Sequence, residues 1–313
     1  MPAKELELIQ RIRRAAARGR SKAAIGIGDD CAVLDIPHRH QALVTTDFTL
    51  EDVHFRRAWH PADSVGHRCL ARGLSDIAAM GGIPRAAFLS LALPSEVPQR
   101  WVDNFLAGFL KLAGRYSVTL AGGDTAQSPD GILADIIVVG SVPGGESILR
   151  SGARAGDFIY VSGLLGSSVA TLEGLRSGKK FRPSAHPRHF YPGPRIAIGQ
   201  YLREKKLASA MIDTSDGLST DLRHICDKSG VGAVVEAAAL PAAPGDDQLQ
   251  YALHGGEDYE LLFTASPNKH IPDHIAGTPI TRIGEITRSR QIKLQSPDGE
   301  SHPLKPGGWE HFA

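Results

Sequence analysis

Ser117-Val118-Thr119-Leu120-Ala121-Gly122-Gly123-Asp124-Thr125 reads as a short apolar, β-branched run that stops at a glycine pair and an acid. That composition predicts a strand over 117–121 running into a turn at Gly122-Gly123. Just before it, residues 99–114 carry apolar side chains at helical spacing, so an amphipathic helix feeds the strand. Just after it, residues 132–142 form a long, strand-like apolar run, interrupted by Asp135. Helices and strands that alternate in this way define an α/β chain. The pattern extends in both directions. Helices are predicted over 5–17 and 64–80, the second stopping at Gly81-Gly82, and strands over 41–46, ending at Asp47, and 86–93. Beyond a break at Pro143-Gly144-Gly145 the style repeats, with strands over 157–162, 211–212 and 260–264 and helices over 167–176 and 218–229. Residues 179–194, rich in Pro, His and Arg, are predicted to be a connecting loop. The break divides the chain into domains over 1–145 and 146–313, each of ordinary size.

The bulk composition supports a soluble globular protein. Formal net charge is +1, which leaves no basic stripe for nucleic acid and no field for a membrane surface. The opening residues are polar rather than signal-like, and every apolar run is strand-sized, well short of the roughly 18 residues of a membrane span. Cys31, Cys69 and Cys226 are odd in number and widely spaced, with neither metal spacing nor a disulfide framework, and the expected compartment is the reducing cytoplasm.

Phosphate-binding glycine loops are missing in their usual form. Residues 163–168 are rich in Gly and Ser but lack the lysine of a phosphate loop. Gly26-Ile27-Gly28 begins like a dinucleotide fingerprint, yet Asp29 and Asp30 stand where phosphate would approach, and carboxylates there attract phosphate only through a metal. The same chemistry recurs in Thr45-Thr46-Asp47, Ser75-Asp76, Gly122-Gly123-Asp124-Thr125, Asp213-Thr214-Ser215-Asp216-Gly217 and Gly255-Gly256-Glu257-Asp258. Any one of these reads as a turn or a helix cap, except Asp76, a poor helix former inside a helical pattern. Together they predict aspartates at loop positions, several at the carboxyl ends of strands, where α/β sheets gather ligands. Two carboxylates about 4 Å apart repel by roughly 4 kcal/mol at an effective dielectric near 20, so converging acids require a cation. Oxygen donors without thiolate or imidazole suit magnesium or manganese rather than zinc, and magnesium bridges carboxylates to substrate phosphates.

That ordered set, continued by Gly255-Gly256-Glu257-Asp258-Tyr259-Glu260-Leu261-Leu262-Phe263 and closed by Gly308-Trp309-Glu310-His311-Phe312, resembles the bacterial thiamine-monophosphate kinases, a family of the aminoimidazole-ribonucleotide-synthetase-like superfamily. The likeness runs nearly end to end. It implies two mixed α/β (α+β) domains, the first for magnesium, ATP and dimerisation, the second for substrate and nucleotide. It also implies ATP as co-substrate, several magnesium ions, thiamine monophosphate as acceptor and a homodimer. Asp30, Thr45, Thr46, Asp47, Asp76, Asp124, Asp213 and Asp216 match magnesium-site positions of the family, and Gly123, Asp124, Arg150 and Ser215 match ATP-contacting ones. His54, Glu257 and Trp309 match positions that face the thiamine substrate. Arg150 offers phosphate a fixed fork of donors, and Trp309 a flat face for a cationic heterocycle.

The sequence departs from the family pattern at Gly73, where Asn is common, and at Thr214, where Ile is usual; neither removes a proposed ligand. A phosphate acceptor is already anionic, so the expected mechanism is direct in-line transfer without a covalent nucleophile. The alternatives are a sister enzyme of the superfamily and a non-catalytic magnesium-nucleotide sensor.

Overall fold

The computed structural model describes residues 5–17, 23–25, 27, 31–245 and 247–310. It divides into two compact units, one of residues 1–77, 82–145 and 190–192, the other of residues 78–81, 146–189 and 193–313.

The first unit contains α1 (Glu5–Ala16), the small ribbon β1 (Ala23–Ile25) and β2 (Val33–Leu34), then β3 (His40–Leu50), α2 (Ala62–Ala79), β4 (Ile83–Leu93), α3 (Gln99–Arg115), β5 (Thr119–Gln127) and β6 (Leu133–Pro143). Four strands form one sheet in the order β3-β6-β4-β5, with β4 and β5 parallel and the other pairs antiparallel. One face is covered by helices. Leu89, Leu91, Ala134, Ile136 and Val138 of the sheet are buried there, and so are Cys69, Leu70 and Leu74 of α2 and Phe105 and Phe109 of α3. Burying a side chain of this kind contributes roughly 1.5–3 kcal/mol. Glycines let the two helices touch backbone to backbone. A Cβ on Gly66 would stand 1.9 Å from the Phe105 carbonyl oxygen, and one on Gly108 would stand 1.9 Å from that of Asp63. The opposite face is open, with Val44 68% and Phe48 54% exposed.

Two strands differ from expectation. β3 does not end at Asp47: it pairs with β6 residue for residue from His40↔Pro143 to Leu50↔Leu133. β5 does not end at the glycine pair either, because Gly122 to Gln127 continue beside Phe88 to Leu93 of β4. Thr45, Thr46, Asp47 and Asp124 are therefore strand residues rather than loop residues. The physical reason is that an unbroken partner strand satisfies the backbone whatever side chain it carries.

The second unit contains β7 (Phe158–Ser162), α4 (Ser167–Arg176), α5 (Pro187–Phe190, whose last residue falls in the first unit), α6 (Ile196–Glu204), β8 (Ala210–Asp213), α7 (Leu218–Ser229), β9 (Gly232–Glu236), α8 (Gln248–His254), β10 (Leu261–Ala265), β11 (His274–Ile275), β12 (Thr278–Thr287), β13 (Ile292–Gln295) and β14 (Ser301–Pro303). Its eight-stranded sheet runs β14-β13-β9-β12-β7-β10-β8, with β11 paired to β12. Ile159, Val161, Ile212, Leu222, Ile225, Val235, Leu262 and Ile286 build its core. Residues 179–194 are more ordered than a plain loop, holding a 3-10 turn (Pro183–Ala185) and α5.

Antiparallel pairing of β10 with both β7 and β8 decides where the polar loops of this unit meet. Leu261, which opens β10, lies opposite Asp213, which closes β8, and Leu262 lies opposite Val161 near the end of β7. The loops after β7, after β8 and before β10 therefore leave the sheet at one end.

Candidate functional site

In the first unit, strand alternation sorts the candidate residues onto two faces. Thr45 and Asp47 point to the α2 side. The Thr45 hydroxyl donates to Asp76, which explains an acid in mid-helix. Asp47 Oδ1 accepts from Arg72 Nε at 3.0 Å and Nη2 at 2.8 Å. The other face carries Thr46, whose hydroxyl donates to Asp135 at 2.8 Å. Asp135 lies opposite Ser90, and Ser90 opposite Asp124, so the three share one row across the open face. Gly123 is confined by its neighbour strand, since a Cβ would stand 1.8 Å from the Leu89 carbonyl oxygen. His54 follows β3, where its Nδ1 accepts the Leu50 N–H at 3.0 Å; a neutral ring then carries its proton on Nε2. Asp30 lies outside the described residues.

In the second unit, β8 delivers Asp213 into the turn Thr214-Ser215-Asp216-Gly217 ahead of α7. Asp213 is buried, as is Asp221 one turn into α7. The Asp221 carboxyl accepts the Gly217 N–H at 3.0 Å. Its pKa is held well above the usual carboxylate range, first by burial and then by the charges of Asp213 and Asp216. Two consecutive carbonyls of this turn receive the other candidate residues. Ser215 O accepts from Glu257 N at 2.8 Å, and Asp216 O from Trp309 N at 3.0 Å. Asp213, Ser215, Asp216, Glu257 and Trp309 are thus one connected group. Glu257 sits at φ 61 and Tyr259 at φ 51, a left-handed backbone that non-glycine residues rarely adopt. Trp309 keeps half of its surface exposed. Arg150 is not joined to this group by any described hydrogen bond: its carbonyl accepts from Ser229 at 3.3 Å, at the far end of α7.

Two acids beside this group were not selected from the sequence. Asp258 Oδ2 accepts the Gly166 N–H at 2.6 Å and Oδ1 the Ser168 N–H at 3.2 Å, closing the N-terminus of α4. Burial pushes its pKa up to about 7 against those two donors. Glu260, almost fully buried, accepts from Ser162 Oγ at 2.6 Å and Arg195 Nε at 2.6 Å, with Arg188 at 3.4 Å. Asp135 and Asp221 were missed as well. Asp135 left a signal, a lone acid inside the apolar run 132–139, whereas nothing in the sequence of α7 marks Asp221 as buried. Among the described residues no group of three or more His, Cys, Asp or Glu could by itself hold a metal ion. Cys69 and Cys226 are buried, and burial pushes both thiols up to about 12, far from a thiolate nucleophile.

Comparison with known proteins follows the same two-part division. Residues 28–142 match the N-terminal domain of AIR synthase related proteins, and residues 154–296 match the C-terminal domain. The chain is 38% identical over 326 residues to the thiamine-monophosphate kinase of Escherichia coli K12, covering 99% of this chain and 98% of that one. The crystal structure of thiamine-monophosphate kinase from Stenotrophomonas maltophilia K279a superposes with a TM-score of 0.82 at 35% identity, over 96% of this chain and 98% of that one. A structure of AaThiL complexed with AMPPCP and TMP superposes with a TM-score of 0.79 at 31% identity, over 100% and 99%. With both domain models matched in order and relatives above 30% identity over nearly the whole length, the chain belongs to the thiamine-monophosphate kinase family.

Proposed function

We propose that this protein phosphorylates thiamine monophosphate with ATP, yielding thiamine diphosphate and ADP. One observation carries the reading beyond family membership: the turn that bears Asp213, Ser215 and Asp216 holds the backbones of Glu257 and Trp309 on its successive carbonyls. Candidate phosphate-side and substrate-side residues thus share one support. Trp309, half exposed, offers its indole face to the thiazolium or the aminopyrimidine, and Glu257 an acceptor for the amino group. His54 presents a ring whose tautomer is set by Leu50. Arg150, exposed, supplies a guanidinium for phosphate oxygens, and Ser215 with Gly123 and Asp124 completes the ATP contacts.

Magnesium fits the donor set. Asp213 and Asp221, both buried, and half-buried Asp216 gather negative charge on oxygen donors only, and magnesium takes one or two carboxylates while keeping waters and substrate phosphates as its other partners. In the second unit Asp213 and Asp216 would hold ions; in the first, Asp30, Asp47, Asp76 and Asp124, with Thr45 and Thr46, are the candidate ligands. Bound there, the ions would offset phosphate charge. The acceptor phosphate needs no strong base, so the chain's own residues orient the two substrates for in-line transfer, and no phosphorylated protein forms. The first unit carries magnesium, ATP and dimerisation, the second substrate and nucleotide. The exposed apolar face bearing Val44 and Phe48 supports a homodimer. The reading places the enzyme in the cytoplasm, acting on small molecules. No helix among the described residues is long and apolar enough to cross a membrane.

The direct test mixes the protein with magnesium-ATP and thiamine monophosphate and separates the products. Thiamine diphosphate and ADP in equal amounts are expected. ATP binding without thiamine diphosphate, with free thiamine and selenide as parallel acceptors, would overturn the substrate assignment and favour a sister activity or a nucleotide sensor.

A further inference from the structure

Beyond β14 the chain runs back onto the first turn of α7. Leu304 N donates to Ile292 O at 2.9 Å, a tie back to the sheet. Three consecutive N–H groups then dock: Gly307 to Ser219 Oγ at 3.2 Å, Gly308 to Thr220 Oγ1 at 3.2 Å and Trp309 to Asp216 O at 3.0 Å. The Ser219 hydroxyl, which accepts from Gly307, is also hydrogen-bonded to His254 Nδ1 at 2.8 Å. Serine and threonine near a helix start commonly serve their own backbone. Here both hydroxyls also accept from a segment almost ninety positions away. The fit leaves no room for a side chain. A Cβ on Gly308 would stand 2.0 Å from the Asp216 carbonyl oxygen and 2.7 Å from Thr220 Oγ1, and one on Gly307 would stand 2.7 Å from His254 Nδ1.

We infer that Ser219 and Thr220 are positioning residues that seat Gly307-Gly308 and thereby set where the Trp309 ring stands toward the thiamine substrate. This rests on the kinase reading above. Both hydroxyls are engaged with the strap backbone. Each acts through the backbone of the strap, so its loss moves the ring without disturbing the acids of the Asp213–Gly217 turn. The same turn also carries Glu257, through Ser215 O, so Glu257 keeps its place when the strap loosens.

The experiment compares wild type with Thr220→Val, Thr220→Ser and Gly308→Ala, measuring kcat and KM for each substrate. Acrylamide quenching of Trp309 is taken as the difference from Trp309→Phe, which removes the signal of Trp59 and Trp101. Losing one hydrogen bond corresponds to about fivefold in an equilibrium. Thr220→Val is expected to raise KM for thiamine monophosphate about fivefold, with kcat and KM for ATP within twofold of wild type, and to make Trp309 more quenchable. Thr220→Ser should restore both, and Gly308→Ala should exceed the effect of Thr220→Val. The inference is overturned by an unchanged KM for thiamine monophosphate with unchanged quenching, or by equal losses toward both substrates that serine does not rescue. A wild type that makes no thiamine diphosphate overturns the kinase reading instead, and quenching then decides the seat by itself.

Discussion

Asp47 and the Asp213–Asp221 region handle negative charge in opposite ways. On β3, Asp47 meets a guanidinium brought by α2, so the fold supplies its own counter-charge. At the start of α7 the fold gathers Asp213, Asp216 and Asp221, and burial, reinforced by the charges of the other two, leaves a carboxyl on Asp221 that resists ionisation. An acid offset by a built-in cation contributes to the folded state. Acids driven together make demands on whatever binds, a proton or a divalent cation. Asp258 is a third case, satisfied chiefly by two backbone N–H groups at the head of α4, with Glu260 and Arg188 acting on it in opposite senses.

Exchanging one charge in each region breaks the comparison most sharply. Asp216→Asn and Asp47→Asn should each lower kcat/KM by on the order of 10²–10³, the size of losing one electrostatic contact in phosphoryl or acyl transfer. Their stabilities should diverge. Without magnesium, Asp216→Asn should melt at or above the wild-type temperature because repulsion is relieved, whereas Asp47→Asn should melt lower because the Arg72–Asp47 ion pair is lost. Equal shifts in the same direction would erase the distinction. The next effect concerns Asp258. Its folded pKa, about 7, lies above the unfolded value, so between them the folded state holds more protons. Its contribution to stability is complete below about pH 4 and lost as the pH rises through about 7, by up to about 4 kcal/mol. Melting wild type and Asp258→Asn from pH 4 to 8 should show a steeper fall in wild type, the difference between the two curves being the part due to Asp258. A smaller effect comes from magnesium with a non-hydrolysable ATP analogue, which at about 100 times its dissociation constant should add roughly 2.7 kcal/mol of stability. The increment should shrink in Asp216→Asn. The smallest lies at the surface, where Arg11 and Asp103 pair at 2.5 Å with about two-fifths of each side chain exposed. Asp103→Ala should cost less than about 1 kcal/mol and leave activity intact, since water screens what Arg72 and Asp47 keep.

The legibility of these features followed their range along the chain. Helices over 167–176 and 218–229 were readable to the residue, because apolar spacing and flanking glycine act within a few positions. The continuation of β3 through Asp47 and of β5 through Asp124 was not readable, because polar side chains there are carried by pairing with β6 and β4. The strands β9, β12 and β13 and the helices α6 and α8 also went unassigned, being short or weakly patterned and fixed by their neighbours. Glu260 stood in plain sight within the Glu257–Phe263 motif, yet its role depends on Arg188 and Arg195, which the sequence placed in or beside a nondescript loop.

By itself, then, the sequence determined the residue types and their order: oxygen donors in short Gly, Ser and Thr settings, two α/β halves, and a terminal glycine-tryptophan segment that together specify the family. Tertiary structure alone decided which of these share a surface. It put Thr46, Asp135 and Asp124 on the open face of a sheet and Thr45, Asp47 and Asp76 on the helix face, and it brought Trp309 back to Asp216. The reason is that side-chain chemistry and local periodicity are written in neighbouring residues. Strand partners, buried ion pairs and backbone docking instead depend on segments far apart in the chain, whose meeting is settled by the packing of the whole unit.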